Sequence, residues 1–323
     1  MVISSLKPKT PFHSRSISFP PRSNNPLTLP VEEQLFKLKS SSSLSDEATS
    51  TLSPLASMCH KLSGLKDLFN CIDQNLLQST TTHRVLANKC VNDVLDGTLA
   101  LLDTCSNAQE VLLQVKECIQ DLQLSLRRRR TRDYGHLIDT DVEKYTNSKK
   151  KVIKAINRCL KDLKRMENRR SFSMLIENDP DTVAIISVFR EVQSITMSTF
   201  ESLFSTLLSG LGSSSKKPAL RGWALVSKLM HTTKCVEMNK KGDEETTTTG
   251  MYEIEKLDVA LNTFVISCKN STEAMVEHSV QNVQKRSTEV ELSIEAIEVV
   301  LELVFKGLIK TRVSLLNILS SNN

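Results

Sequence analysis

The sequence predicts an all-α, elongated multi-helix bundle with a coiled-coil-like C-terminal helix and a disordered N-terminal tail. Six of the nine prolines fall within the first 30 residues. A chain so poor in turn-forming residues after that point does not suit a sandwich, a barrel or an α/β sheet. From Val31 onward, apolar residues recur every three or four positions, which is the period of an amphipathic helix.

The chain divides into a tail and one helical domain. Residues 1–30 contain no Asp or Glu and are rich in Ser, Pro and Arg. They lack the apolar core of a secretory signal, so we expect a disordered tail, although a plastid transit peptide shares this composition. Residues 31–323 are expected to form the bundle, with flexible linkers at about 40–53, 211–218 and 239–250.

Short motifs predict where the helices of this domain begin and end. Ser106–Gln109 and Thr140–Glu143 each match a capping box, so each predicts a new helix, with Tyr134 and Gly135 in the loop between them. Pro180 follows Asp179 as the first residue of another helix, which Gly210–Gly212 ends. The other predicted helices are a short one at 31–39, two whose apolar faces run over 55–76 and 91–105, and one at 219–236 around Trp223.

The C-terminal segment has the most regular periodicity. Its seam positions alternate spacings of four and three residues, as in a coiled coil. We expect this seam to pack inside the bundle of the same chain and favour a monomer, with dimerisation as the alternative. The seam consists of Val276, Val280, Val283, Ser287, Val290, Ile294, Ile297, Leu301, Val304 and Leu308.

A net charge of +5 conceals a strongly basic segment. Between Leu126 and Arg170 there are 16 Lys or Arg against six Asp or Glu, so this segment carries +10 and the remainder −5. We favour a solvated face, or a match with the glutamates between Glu289 and Glu302, ahead of an anionic membrane surface. Nucleic acid is disfavoured, because aromatic residues are scarce there and no binding module is present. The basic patch consists of Arg127, Arg128, Arg129, Arg130, Lys150, Lys154, Arg158, Lys161 and Arg165.

The sequence contains no motif for catalysis, a cofactor or a metal. The six histidines are scattered singly, and His231 with Cys235 supplies only two of the four ligands that structural zinc needs. The eight cysteines form no Cys-x-x-Cys pair, which favours free thiols in a reducing compartment. We therefore expect a non-enzymatic interaction or scaffold protein without cofactor or metal. The alternative is a peripheral membrane adaptor that binds acidic lipids through the basic segment 127–170. We place it in the cytoplasm, with a membrane-peripheral or plastid location left open.

The tail carries a phosphorylation motif formed by Arg15, Ser16, Ser18 and Pro20. With Ser18 phosphorylated, the segment matches the Arg-Ser-x-pSer-x-Pro ligand of 14-3-3 proteins. The phosphate would bring close to two negative charges to an arginine cluster on the partner. A 14-3-3 protein is therefore the predicted protein partner of the tail.

Several segments together resemble a plant-specific family of unknown function, number 241, which is BYPASS-like. The resemblance implies a plant origin, an all-helical fold, and a part in root and shoot development. It implies no catalytic residue, and it favours a regulatory tail over a cleaved transit peptide. One departure from the family pattern is Gly307, where relatives tend to carry a basic residue. The matching segments are His13–Pro20, Val31–Leu35, Val94–Gly97, Leu101–Cys105, Arg127–Arg130, Trp223–Met230 and Leu308–Leu319.

Overall fold

A computed structural model describes residues 25–43, 52–86, 91–128, 134–170, 180–212, 252–270 and 272–321. Every regular element within these ranges is a helix, which confirms the predicted all-α bundle. The phosphorylation motif, the predicted helix at 219–236 and the predicted linker at 239–250 lie outside the described residues. The helices are α1 (Leu29–Ser43), α2 (Pro54–Cys71), α3 (Thr80–Leu86), α4 (Val91–Arg128), α5 (Tyr134–Arg170), α6 (Pro180–Gly212), α7 (Glu253–Asn270) and α8 (Glu273–Ser320).

The seam of α8 packs inside the bundle. This helix contacts α2, α4 and α7, and every predicted seam residue from Val280 to Leu308 is buried, whereas Val276 is half-buried. The same periodicity continues to Thr311, Leu315 and Ile318, which are also buried. Burial of apolar area on this scale is the main force that holds the helices together.

The predicted helix start at Ser106 is wrong, because α4 continues through it without a break. Cys105 and Ala108 are both buried, so the apolar stripe of α4 crosses the capping-box residues in register. Gln109, which would have to reach back to Ser106, instead donates a hydrogen bond from Nε2 to Oε2 of Glu302 at 3.0 Å. Packing against α8 therefore overrides the local signal.

The predicted loop at Tyr134 and Gly135 is also wrong, because α5 begins at Tyr134. The capping-box residues Thr140–Glu143 consequently lie inside the helix. Glycine is costly chiefly in the interior of a helix, and Gly135 lies in the first turn of α5, so it does not prevent the helix from forming there.

Prolines set two helix starts. The predicted start of α6 at Pro180 and its predicted end at Gly212 are both observed. Pro54 opens α2 in the same manner, and Oγ of Ser53 accepts a hydrogen bond from the backbone N–H of Ala56 at 3.2 Å. At the C-terminal end of α2 the chain continues as a π-helical turn over Ile72–Leu76, and the next short helix is α3.

Gly307, at which this chain departs from the family pattern, allows α2 and α8 to pack closely together. A Cβ placed on Gly307 of α8 would lie 2.9 Å from Cβ of Phe69 on α2, closer than side chains approach one another. A basic residue at this position would therefore require α2 and α8 to move apart. Gly307 fits the close contact between these two helices in this chain.

Candidate interaction surface

Helix α5 has an apolar face inside the bundle and a basic face in solvent. Tyr145, Val152, Ile156 and Leu163 are buried, and α5 packs on α4, α6 and α7. Hydrophobic residues at this spacing occupy one side of the helix, so the opposite side is directed away from the bundle.

The exposed side of α5 carries unmatched positive charge. We call this surface the basic face of α5; it consists of Lys150, Lys154, Arg158, Lys161 and Arg165, all of which are exposed. Within the described part of the chain, its one salt bridge joins Nη1 of Arg165 to Oδ1 of Asp162 at 2.9 Å, and both side chains are more than half exposed. Such exposed pairs add little stability.

The structure separates the arginine run from the basic face of α5. Arg127 and Arg128 are exposed at the end of α4, and Arg129 and Arg130 lie outside the described residues. Sγ of Cys118 donates to the carbonyl of Tyr145 at 3.7 Å, which fixes the register of the antiparallel pair α4 and α5. From that level α4 runs about 15 Å to Arg128, and α5 runs about 7 Å the opposite way to Lys150. The predicted basic patch is therefore two separate groups.

The predicted match between the basic face and the acidic residues of α8 is wrong for the described residues. Nζ of Lys116 on α4 lies 3.0 Å from Oε1 of Glu295 and 3.1 Å from Oε2 of Glu298. Hydrogen bonds to these two glutamates raise the pKa of Lys116. Nε2 of Gln123, also on α4, donates to Oε2 of Glu291 at 3.1 Å. The acidic side chains of α8 thus contact α4, and the basic face of α5 keeps its charge in solvent.

One lysine of the basic segment points into the bundle. Nζ of Lys149 pairs with Oδ2 of Asp258 on α7, and the hydroxyl of Tyr145 donates to Oδ1 of the same carboxylate at 3.1 Å. Burial raises the pKa of Asp258, and the ion pair with Lys149 opposes that shift. Burial also raises the pKa of Tyr145 well above its ordinary value, with Asp258 adding to the effect. These three groups fix α5 against α7.

The sequence prediction missed this buried cluster, although a signal was present. The apolar face of α5, followed back from Val152 by steps of three and four, passes through Lys149 and Tyr145. Lys149 therefore occupies a core position, whereas Lys150 occupies an outer one. A lysine in core register, which is rarely buried without a partner, would have pointed to a buried acid elsewhere in the chain.

The described residues contain no group of three or more His, Cys, Asp or Glu arranged to hold a metal ion. His231 and Cys235 lie outside them.

Six of the cysteines are described and all six are free thiols. Burial raises the pKa of both Cys105 and Cys118 to about 12, so these thiols stay protonated near neutrality. No helix among the described ranges is both long enough and apolar enough to cross a membrane.

A protein-family model described as Protein BPS1 matches residues 61–318. The chain belongs to the BPS1 family. This confirms the BYPASS-like resemblance, and membership suggests a role in development. The BPS1 match includes all of α5 with its basic face, and it does not include the phosphorylation motif of the tail. No curated protein and no solved structure matches the chain.

Proposed function

We propose that this BPS1-family chain is a non-enzymatic interaction protein of plant development that docks on acidic lipid surfaces through the basic face of α5. The observation that carries the proposal is the row of exposed cations from Lys150 to Arg165, which no acidic helix of the described bundle covers. A lysine or arginine held near an anionic leaflet gains about 1 kcal/mol. Five such residues on one face provide binding of useful strength.

The geometry of α5 suits adsorption on a membrane surface. The basic face spans the 16 residues from Lys150 to Arg165, a length of about 22 Å along one helix. None of the large apolar residues that are exposed in the described chain lies on α5. Binding would therefore be electrostatic, without insertion into the acyl region, and it would weaken as salt screens the charges.

Vesicle co-sedimentation tests the proposal. The full chain is mixed with phosphatidylcholine vesicles, with or without 30 mol% phosphatidylserine as a probe fraction, at low and high salt. We expect sedimentation only with phosphatidylserine and only at low salt. The variant Lys150→Gln/Lys154→Gln/Arg158→Gln/Lys161→Gln is expected to bind at least tenfold more weakly, because four contributions of about 1 kcal/mol are removed.

A matched control removes four exposed cations elsewhere. Arg84, Arg127, Arg128 and Lys285 are exposed on α3, α4 and α8. Their fourfold replacement by Gln lowers the net charge by the same amount and is expected to leave vesicle binding within twofold of the parent chain. Equal loss in both variants would mean that binding follows net charge alone, and equal sedimentation with phosphatidylcholine would remove the lipid proposal.

The tail supports a second candidate function, carried by the sequence of Arg15–Pro20. We propose that phosphorylation of Ser18 creates a 14-3-3 ligand, because the phosphate and the following proline complete the motif. A synthetic peptide of residues 11–24 with phosphorylated Ser18 is expected to bind a 14-3-3 protein in a fluorescence polarisation assay. The unphosphorylated peptide and the phosphorylated Arg15→Ala peptide serve as controls. Absence of binding by the phosphopeptide would remove this candidate.

A further inference from the structure

A cleft of about 650 Å³ lies where α4, α5 and α6 meet, away from the basic face of α5. Its volume falls within the range of small-molecule sites in proteins. Apolar side chains from three parts of the fold line its interior: Phe69 of α2, Leu101 of α4, and Ile186 with Phe189 of α6. The interior therefore favours a ligand with an apolar body.

A close approach between α4 and α6 shapes one wall of the cleft. A Cβ on Gly97 of α4 would lie 2.6 Å from Nε2 of Gln193 on α6, so the glycine leaves space that this amide occupies. Both residues line the cleft. The amide of Gln193 supplies a hydrogen-bonding group beside the apolar interior.

A buried hydroxyl without a partner also lines the cleft. Thr311 of α8 is 2% exposed, and its Oγ1 makes no hydrogen bond within the described part of the chain. A threonine in a helix commonly bonds a carbonyl one turn earlier, as Thr196 does with Val192 in α6 at 2.7 Å. An orphaned buried hydroxyl costs free energy, which a ligand group or water reaching it would recover.

The rim of the cleft is predominantly acidic. Among the described residues that line the cleft, Asp93, Asp96 and Glu167 stand against one cation, Arg190, so their charges sum to −2. Asp96 and Glu167 are exposed at the mouth, on α4 and α5 respectively. An acidic mouth above an apolar interior attracts a cation and repels an anion.

The wall of the cleft is fixed by a contact between distant segments. Nη1 of Arg312 on α8 donates to the carbonyl of Leu95 on α4 at 2.5 Å. Two segments that carry the family resemblance, Val94–Gly97 and Leu308–Leu319, therefore meet here and contribute Val94, Asp96, Gly97 and Thr311 to the lining. A wall held in this way is largely formed before a ligand arrives.

We propose that this cleft binds a small amphipathic organic cation, with an apolar body against Phe69, Leu101 and Phe189 and a protonated amine toward Asp96 and Glu167. Gln193 and Thr311 offer hydrogen bonds to polar groups of the ligand. This site is independent of the lipid-binding proposal, since it uses a different face and the opposite charge.

Three probes with one apolar body and different end groups test the site: 4-phenylbutylamine, 4-phenylbutanol and 4-phenylbutyrate. Binding to the full chain is measured by saturation-transfer NMR with titration. We expect the amine to bind at least tenfold more tightly than the butyrate, with the alcohol between them. The variant Asp96→Asn/Glu167→Gln is expected to bind the amine about tenfold more weakly and to lose the preference for it.

Two further variants keep the test specific. Glu117→Gln/Asp121→Asn removes two exposed carboxylates of α4 outside the cleft and is expected to bind the amine as the parent chain does. Ser194→Trp places a large side chain at the exposed rim and is expected to block all three probes, with the fold checked by circular dichroism. Equal binding of the three probes, preference for the butyrate, no transfer from the amine at millimolar concentration, or an equal effect of the two charge variants would each overturn the proposal.

Discussion

Helices α5 and α8 have similar sequence patterns, but the charged residues of the two helices have different surroundings in the fold. Each is a long amphipathic helix with a dense stripe of one charge beside its apolar face. The glutamates of α8 meet Lys116, Gln109 and Gln123 of α4, whereas the cations of α5 from Lys150 to Arg165 meet no acidic helix within the described bundle. The neighbouring helix, and not the stripe itself, therefore decides whether charge serves the fold or remains available for a partner.

The same contrast occurs between adjacent residues of α5. Lys149 is buried with Asp258, and Lys150 is exposed. A shift of one position along a helix rotates the side chain by about 100°, which moves it from the interior to solvent. The predictions below test this division at Asp258 and at Lys116, with a test of two buried thiols of α4 between them, and run from the largest expected effect to the smallest.

Asp258→Ala is expected to lower the free energy of unfolding by about 3–5 kcal/mol, because it leaves Lys149 buried without a counter-charge. Urea denaturation followed by circular dichroism measures the change. Asp162→Ala on the outer side of α5, whose partner Arg165 is 72% exposed, is expected to change it by less than about 0.5 kcal/mol.

A double variant separates charge from packing at the same position. Lys149→Met/Asp258→Asn keeps an acceptor for the hydroxyl of Tyr145 and removes the buried ion pair. We expect it to recover most of the stability lost in Asp258→Ala, because no charge remains uncompensated. A double variant as unstable as the single one would show that shape, and not charge, dominates this contact between α5 and α7.

Alkaline pH is expected to destabilise α4 at both of its main interfaces. Sγ of Cys105 donates to the carbonyl of Leu301 on α8, and Sγ of Cys118 to that of Tyr145 on α5. The folded pKa of each thiol is raised to about 12 from 9.0. Between these values the folded chain holds protons that the unfolded chain has released, so stability falls as pH rises, by about 1.4 kcal/mol per pH unit for each thiol.

Urea denaturation at a series of pH values from 8 to 11 checks this slope. Cys105→Ala and Cys118→Ala are each expected to lower the free energy of unfolding at pH 8. Each variant is also expected to reduce the slope of the further decline with pH by the contribution of one proton, about 1.4 kcal/mol per pH unit. Val115→Ala, at a buried position of the same helix, is expected to lower stability equally at every pH, because no titrating group is removed. Parallel pH profiles for all three variants would contradict the attribution of the alkaline loss of stability to the thiols of Cys105 and Cys118.

Lys116→Met is expected to lower the free energy of unfolding by about 0.5–1 kcal/mol at low salt and by less at 1 M salt, because it removes the contacts with Glu295 and Glu298. Lys154→Met on the basic face of α5 is expected to change it by less than about 0.3 kcal/mol at either salt concentration. Denaturant midpoints at the two salt concentrations measure both effects. A salt-dependent loss in Lys154→Met would mean that the fold uses the charge of α5.

The sequence predicts most of the helices, because their period extends over many residues. The seam of α8 is predicted nearly completely, since each position repeats the same apolar choice. The prediction of a helix start at Ser106 is wrong because a four-residue motif was given more weight than the apolar stripe of α4, which continues through it. Gln109 and Glu302 are neighbours in space although 193 residues apart, and no local pattern shows this.

The candidate surfaces were predictable only in part. The basic residues of α5 follow directly from the sequence, but their lack of acidic partners depends on which helices pack together. The cleft was not predictable, because Gly97 and Gln193, and Leu95 and Arg312, meet only in the folded chain. Helix pairing between distant segments is set by tertiary packing, which local helix propensity does not predict.

The central place of α8 has a consequence for synthesis on the ribosome. Helices α2 and α4 bury their apolar faces against a helix that is translated after them, since Glu273 follows Arg128 by 145 residues. At about 5–20 residues per second, synthesis of α8 begins roughly 7–30 s after α4 is complete, and those faces stay exposed for longer than that. The protein must therefore emerge with its hydrophobic stripes uncovered, and co-translational chaperones are expected to hold it until Glu273–Ser320 leaves the exit tunnel.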